Sequence, residues 1–185
     1  ELELRRHGYM EEGHFTVAYS PVPDETAPRG IGGVVGTVHE ISDKVIAERR
    51  VAALRDLGTR VGEARTAEQA CAIAASTLSA HGKDLPFALL YLIDARRETA
   101  NLAGAVGVPG GEDVSPLSVG LAESAERGWP LVESWRDDAL KVVDGLAGRF
   151  SNVPLGPWSD PPDSAVVVPI PSNKAHEPAG FLVAG

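Results

Sequence analysis

Chemistry in this chain would have to come from few side chains. There is one cysteine, Cys71, and five histidines. Carboxylates are plentiful, with Asp94, Asp137, Asp138 and Asp144 in the second half. None stands at a recognisable spacing from a Ser or His partner, and there is no G-x-S-x-G elbow to expose a nucleophile. A small hydrolase is therefore the weaker reading, and no catalytic residue is assigned. Two spacings imitate familiar sites. Gly30, Gly32, Gly33 and Gly36 suggest a dinucleotide loop, but the third glycine of G-x-G-x-x-G would be Val35, and no helix follows to receive a phosphate. His39-Glu40 begins like a zinc helix H-E-x-x-H, yet the second histidine would fall at Asp43. The same pair resembles the phosphoacceptor box of histidine kinases, but Ser42-Asp43-Lys44 follows without the expected proline, so a solvated strand end is the simpler reading. Cys71 sits among alanines with nothing nearby to lower its pKa, which reads as a buried, inert thiol. No metal site is expected.

The remaining candidates are aromatic. Trp129, Trp135 and Trp158 fall in a loop-rich stretch together with Phe150. They read either as core and lid packing or as the wall of a small-molecule pocket, which mixes apolar surface with few polar groups.

Composition narrows the classes. The chain has 185 residues, 43% hydrophobic and only 5% aromatic, with a formal net charge of −9. That acidity argues against a nucleic-acid partner, which needs clustered Lys and Arg, and against docking on an anionic membrane. One cysteine excludes an intramolecular disulfide framework and a cysteine-rich zinc site. No apolar run approaches the length of a membrane span, and no export leader is visible, so a cytoplasmic location is expected. Both ends read as cut: ELELRRHGY is a strand already under way, and GFLVAG stops at the end of one.

The elements that must position these residues are organised around Ile41 to Ala64. This stretch is rich in Ala, Glu, Arg and Leu, which favour a helix. Leu54, Leu57, Val61 and Ala64 recur at steps of three and four and line one seam, which suggests pairing with another helix, its own copy first. Arg50 and Asp43 interrupt the seam upstream. Before the helix, Leu2–Tyr9, His14–Pro21 and Gly30–Val38 read as three strands of a meander. After it, Thr66 and Gln69 can cap a second helix with an apolar face of Ala67, Ala70, Cys71, Ala74 and Leu78. Phe87–Ile93 reads as a buried strand and Thr99–Val106 as its hairpin partner. Residues 109–128 form an acidic loop, expected to be mobile, that includes Glu123 and Glu126. Pro130 opens a short helix with Leu131, Val132 and Trp135. Leu140–Val143 is a short strand, 151–163 a proline-stiffened loop, and Ala165–Ile170 with Ala179–Ala184 a final strand pair.

The segment FTVAYSPVPDETAPRGIGGVVGTVHEISDKVIAERR resembles the C-terminal half of a PAS domain, and the likeness covers roughly the first 50 residues. It implies the last three strands of a five-stranded sheet feeding an output helix. The segments PFALLYLIDARRETANLAGAVGV, WPLVESWRDDALKVVDGLAGRF and AVVVPIPSNKAHEPAGFLVAG resemble a GAF domain, as found beside PAS domains in bacterial sensor kinases and response regulators. That likeness implies an antiparallel sheet with helices on one side and a ligand pocket under loops on the other; the family's final helix is missing. The Asn-Lys and Phe that open a cyclic-nucleotide signature have counterparts in Asn173-Lys174 and Phe181, but its Asp-Glu does not, so cyclic-nucleotide binding is unsupported. Cys71 is misplaced for bilin attachment, and His81 and His176 read as surface turn residues rather than haem ligands.

The expectation is an α+β chain in three parts: PAS-type strands over 1–40, a long linker helix over 41–64 and a GAF-like antiparallel sheet with flanking helices over 65–185. The function expected is a sensory or regulatory fragment of a two-component signalling protein. An unknown small molecule, redox or light cue would act through a homodimer formed by the linker helix. The alternatives are a ligand-free dimerisation module and, behind it, the small hydrolase.

Overall fold

The computed structural model describes residues 2–6, 9–122, 128–172 and 177–185. The chain divides into two compact units, Glu1–Val51 and Ala52–Gly185.

Among the described residues the first unit holds four strands where three were expected: β1 (Leu2–Arg6), β2 (Tyr9–Gly13), β3 (Phe15–Pro23) and β4 (Ile31–Glu40). The second strand, YMEEG, lacks the β-branched alternation that marks strands in sequence, and Leu2–Tyr9 splits to make room for it. β1 pairs with β2 and β3 with β4, each antiparallel, as two separate two-stranded ladders. The expected continuous meander is therefore replaced by two hairpins. Gly13 is buried where they meet: a Cβ there would lie 2.7 Å from Leu4 Cδ1 and 2.8 Å from Phe15 Cε2. In the turn after β3, Asp24 Oδ1 accepts from Thr26 N at 2.8 Å and from its hydroxyl at 2.6 Å, an Asx arrangement.

Helix α1 (Ser42–Val61) begins in this unit on a set of polar contacts. Ile41 N donates to His14 O at 2.8 Å, and His14 N donates to Ser42 Oγ at 3.0 Å. Ser42 Oγ donates to Glu40 Oε1 at 2.8 Å. Arg6 donates to both oxygens of Glu40, at 2.8 and 3.1 Å, a fork that fixes geometry as well as charge. The buried Glu12 carboxylate receives Arg49 Nη1 at 3.0 Å and so ties β2 to the helix. The helix stops at Val61, short of the expected Ala64. Gly62 follows, and Glu63 N and Ala64 N turn back to the carbonyls of Arg60 and Val61. These three-residue bonds tighten the last turn and use carbonyls that the helix end would otherwise leave unpaired.

In the second unit, α2 (Ala67–Leu78) starts on Thr66, whose hydroxyl accepts from Gln69 N at 3.2 Å, while Gln69 Oε1 accepts from Arg65 N at 3.0 Å. A 3-10 turn, Ser79–His81, follows. Then come β5 (Ala88–Ile93), β6 (Thr99–Val106), β7 (Ser118–Gly120), α3 (Leu131–Asp137), β8 (Lys141–Asp144), α4 (Leu146–Arg149), β9 (Ser164–Pro171) and β10 (Pro178–Ala184). The strands form one antiparallel sheet ordered β7-β6-β5-β10-β9-β8. The near-continuous apolar runs of β5 and β10 suit strands covered on both faces.

One face carries the main core. Phe87, Leu89, Tyr91, Val167, Phe181 and Val183 are fully buried there, under Val114, Trp129, Leu131, Leu146 and Phe150. The opposite face presents Leu90, Leu92, Ile170 and Leu182 to Cys71, Ala74 and Ala75 of α2 and to Leu57 and Val61 of α1. The acidic loop is anchored over residues 109–122 rather than loose. Trp129 Nε1 donates to Val114 O at 2.7 Å, Tyr91 Oη to Pro116 O at 2.9 Å, Ser115 Oγ to Pro109 O at 2.6 Å, and Ser151 N to Asp113 Oδ2 at 2.6 Å. Three of these bonds tie the loop to residues outside it, and the Ser115–Pro109 bond braces it internally. Glu123 and Glu126 lie outside the described residues.

The central pairing depends on one glycine. At Gly180 a Cβ would sit 2.0 Å from Tyr91 O, inside the β5–β10 ladder. Gly180→Ala should lower stability by about 1–3 kcal/mol, the usual cost of overpacking, measured by urea denaturation; an unchanged midpoint would show that the strands are not this close.

Candidate functional site

The carboxylates singled out by type do structural work. Asp94 Oδ1 accepts from Glu98 N at 2.8 Å and Thr99 N at 3.0 Å, closing the β5–β6 turn, and these backbone bonds hold its carboxyl below the usual range. Asp137 pairs with Lys141, the first residue of β8, and Asp138 caps α3 in the left-handed conformation, φ 47°. Asp144 ends β8 on the surface. No group of His, Cys, Asp or Glu among the described residues is arranged to hold a metal ion. His39 is exposed on β4, and its neighbour Glu40 is taken up by Arg6 and Ser42, which hold its carboxyl below the usual range. His81 lies half-buried in the 3-10 turn after α2, and Asn173, Lys174 and His176 fall outside the described residues.

The aromatic candidates separate. Trp129 and Phe150 come together, ring centroids 4.5 Å apart, with Phe87 6.1 Å from Trp129. All three are core residues, and the Trp129 indole N–H is spent on a loop carbonyl. Trp135 packs at the edge of this core, with the Arg97 guanidinium 4.6 Å from its ring centroid. Trp158 stands apart on the proline-rich loop and donates to Lys83 O at 3.0 Å.

The seam residues separate too. Leu57 and Val61 turn toward the sheet and pack on the cluster of Cys71, Ala74 and Leu90. Leu54 remains 70% exposed. Ala64 lies beyond the helix end. Leu57 and Val61, two of the four seam residues, thus also pack within their own module.

That packing leaves a trough. An apolar cavity of about 510 Å3 runs along the helical face. Leu54, Leu57, Gly58 and Val61 of α1 form one wall, and Ala67, Ala70, Cys71 and Ala74 of α2 form the other. Leu90 and Leu92 of β5, Ile170 of β9 and Ala179 of β10 make the floor. The cause is the composition of α2. Its inward face is mostly alanine, so its side chains stop at Cβ and leave the space beside α1 unfilled. The alanine content of this face, legible in the sequence, is the signal of the trough. Cys71 is 6% exposed in this wall, and burial first, then the nearby Glu68 carboxylate, pushes its thiol above the ordinary range.

No protein-family model and no curated protein matches the chain. Solved structures do. The chain is similar to the GAF domain of a phosphoenolpyruvate-protein phosphotransferase from Coxiella burnetii, at 17% identity and a TM-score of 0.52, over 75% of this chain and 77% of that one. It is similar at 16% identity and TM-score 0.50 to residues 122 to 287 of a methyl-accepting chemotaxis protein, over 72% and 81%. It is also similar at 18% identity and TM-score 0.50 to free methionine-R-sulfoxide reductase from Neisseria meningitidis, over 71% and 70%. At these identities the likeness establishes a GAF-like fold.

Two outcomes follow. Leu54→Asp should change stability by less than about 0.5 kcal/mol, as exposed substitutions do, whereas Leu57→Asp should cost at least about 1 kcal/mol through its buried contacts, compared by urea melts. Alkylation of Cys71 needs the thiolate, and its raised pKa moves that form to higher pH. Its labelling rate in the native protein should therefore climb only above the ordinary thiol value of about 8.5, and climb earlier once the chain is unfolded.

Proposed function

We propose that this chain is a sensory or regulatory part of a signal-transduction protein of two-component type, in which a GAF-like module takes a small apolar molecule in the trough beside α1. The observation that carries the reading is the composition of the trough walls: one of them is α1 itself. The volume of about 510 Å3 falls within the range of small-molecule sites, which are mostly apolar. A ligand seated there would touch Leu54, Leu57 and Val61 directly, so its binding energy would favour whichever position of the helix gives the better contact. The same helix begins on β4 and on the Arg6–Glu40–Ser42 contacts. A bias on its second half thus has a covalent route to strands read as PAS-type. The phosphotransferase and chemotaxis neighbours carry the same fold in proteins of signalling and regulation, which supports the reading by analogy.

Filling the trough tests this. Gly58 lines the trough and a Cβ there would meet nothing within 4 Å, so a larger side chain can start from this position. The wild-type chain should bind an apolar fluorescent probe such as anilinonaphthalene sulfonate with a saturable signal. Gly58→Phe should remove most of that signal while keeping or raising the melting temperature, since glycine is a poor helix residue. Equal probe binding by both proteins would contradict the site.

A further inference from the structure

A second cleft, of about 220 Å3, lies where α1 meets the end of α2. Arg55, Asp56, Thr59 and Arg60 line it from α1, and Thr77 and His81 line it from α2 and the 3-10 turn. The four α1 positions interleave with Leu54, Leu57, Gly58 and Val61, so cleft and trough occupy different faces of one helix. All of this lining belongs to the second unit.

Its charges are uncommitted. Among the described residues, the side chains of Arg55, Asp56 and Arg60 take part in no ion pair and no hydrogen bond. Asp56 and Arg60 stand four residues apart in the order that ordinarily favours pairing along a helix, yet they do not pair. The hydroxyls are committed in one direction only. Thr59 Oγ1 donates to Arg55 O at 2.9 Å, and the buried Thr77 donates through Oγ1 to Ile73 O at 2.8 Å. With its one proton spent, each hydroxyl offers the cleft only lone pairs. The cleft thus holds two guanidinium donors beside three acceptors, the Asp56 carboxylate and two hydroxyl oxygens. A bare oxyanion would suit the guanidiniums and be repelled by the acceptors; a bare cation would meet the opposite conflict. A molecule with both charges satisfies the whole set. An ammonium has three N–H donors for three acceptors, and a carboxylate matches the fork of a guanidinium. Two guanidiniums against one carboxylate leave the lining net positive, which calls for a second carboxylate on the ligand.

We propose that this cleft binds a small acidic amino acid, its carboxylates on Arg55 and Arg60 and its ammonium on Asp56, Thr59 and Thr77. The cleft is smaller than sites for drug-sized ligands, which start near about 300 Å3, and a single amino acid is a ligand of the right scale. An occupant would bridge α1 to the end of α2. The inference stands apart from the trough, which has no charged lining and takes a different class of molecule.

Titration of the full chain with L-glutamate, with glutarate and with inorganic phosphate, followed by backbone amide shifts, tests it. L-Glutamate gives saturable shifts centred on residues 55–60 and 77–81. Glutarate keeps both carboxylates but lacks the ammonium, and binds more weakly by about tenfold or more, as does phosphate. R55Q/R60Q weakens L-glutamate by about tenfold or more while amide shifts away from the cleft stay in place. Asp56→Asn narrows the gap between L-glutamate and glutarate, because it removes an attraction for one and a repulsion for the other; a merely structural role for Asp56 would move both alike. No saturable shift with L-glutamate, shifts centred elsewhere, glutarate or phosphate binding as tightly as L-glutamate, an R55Q/R60Q protein that binds like the wild type, or an unchanged gap in the Asp56→Asn protein would each overturn the proposal.

Discussion

The unequal covering of one sheet governs this molecule. β10 lies between β5 and β9, and alternate residues of all three strands are apolar on both faces. Under one face, Phe87, Trp129, Phe150 and Leu146 close the interior with large side chains and satisfied polar groups. Over the other lie an alanine-faced helix and the last turns of α1. A sheet with two apolar faces requires two covering layers. The first layer is filled and the second is thin, and the trough is the space the thin layer leaves.

That thinness makes α1 consequential. Leu57 and Val61 pack its second half on the sheet of the GAF-like module. Its first half is held differently, by charge and hydrogen bonds: Arg6 on Glu40, Glu40 on Ser42, and Glu12 on Arg49. Arg6 and then Ser42 hold the Glu40 carboxyl below its ordinary pKa. Apolar contacts tolerate sliding, whereas a forked ion pair fixes orientation. One helix is thus anchored stiffly at its start and by apolar contact further on.

Much of this was legible in the sequence wherever a local rule and the tertiary environment agree. The capped start of α2, the buried run of β5, the β5–β6 turn at Asp94 and the short helix after Pro130 each follow from a few neighbouring residues. Features set by distant partners were not legible. YMEEG has no strand signature, because its pairing with β1 decides its state. The loop over 109–122 looked mobile by composition, but its hydrogen bonds come from Tyr91, Trp129 and Ser151, far away in the chain. The seam of α1 reads as an apolar line in the sequence. Periodicity says which residues share a face and not what that face meets, and here Leu57 and Val61 meet their own sheet. The tryptophans illustrate the same limit, since Trp129 and Phe150 proved to be neighbours in the core while Trp158 is held elsewhere.

The trough exists because the second half of α1 is packed on the sheet beside α2. Methyl-resolved nuclear Overhauser spectroscopy on the full chain addresses it directly. Cross-peaks are expected from the Leu57 and Val61 methyls to the cluster of Ala74 and Leu90, and weak or absent ones from Leu54. A helix whose Leu57 and Val61 methyls show no contact with that cluster would contradict it, and with it the trough.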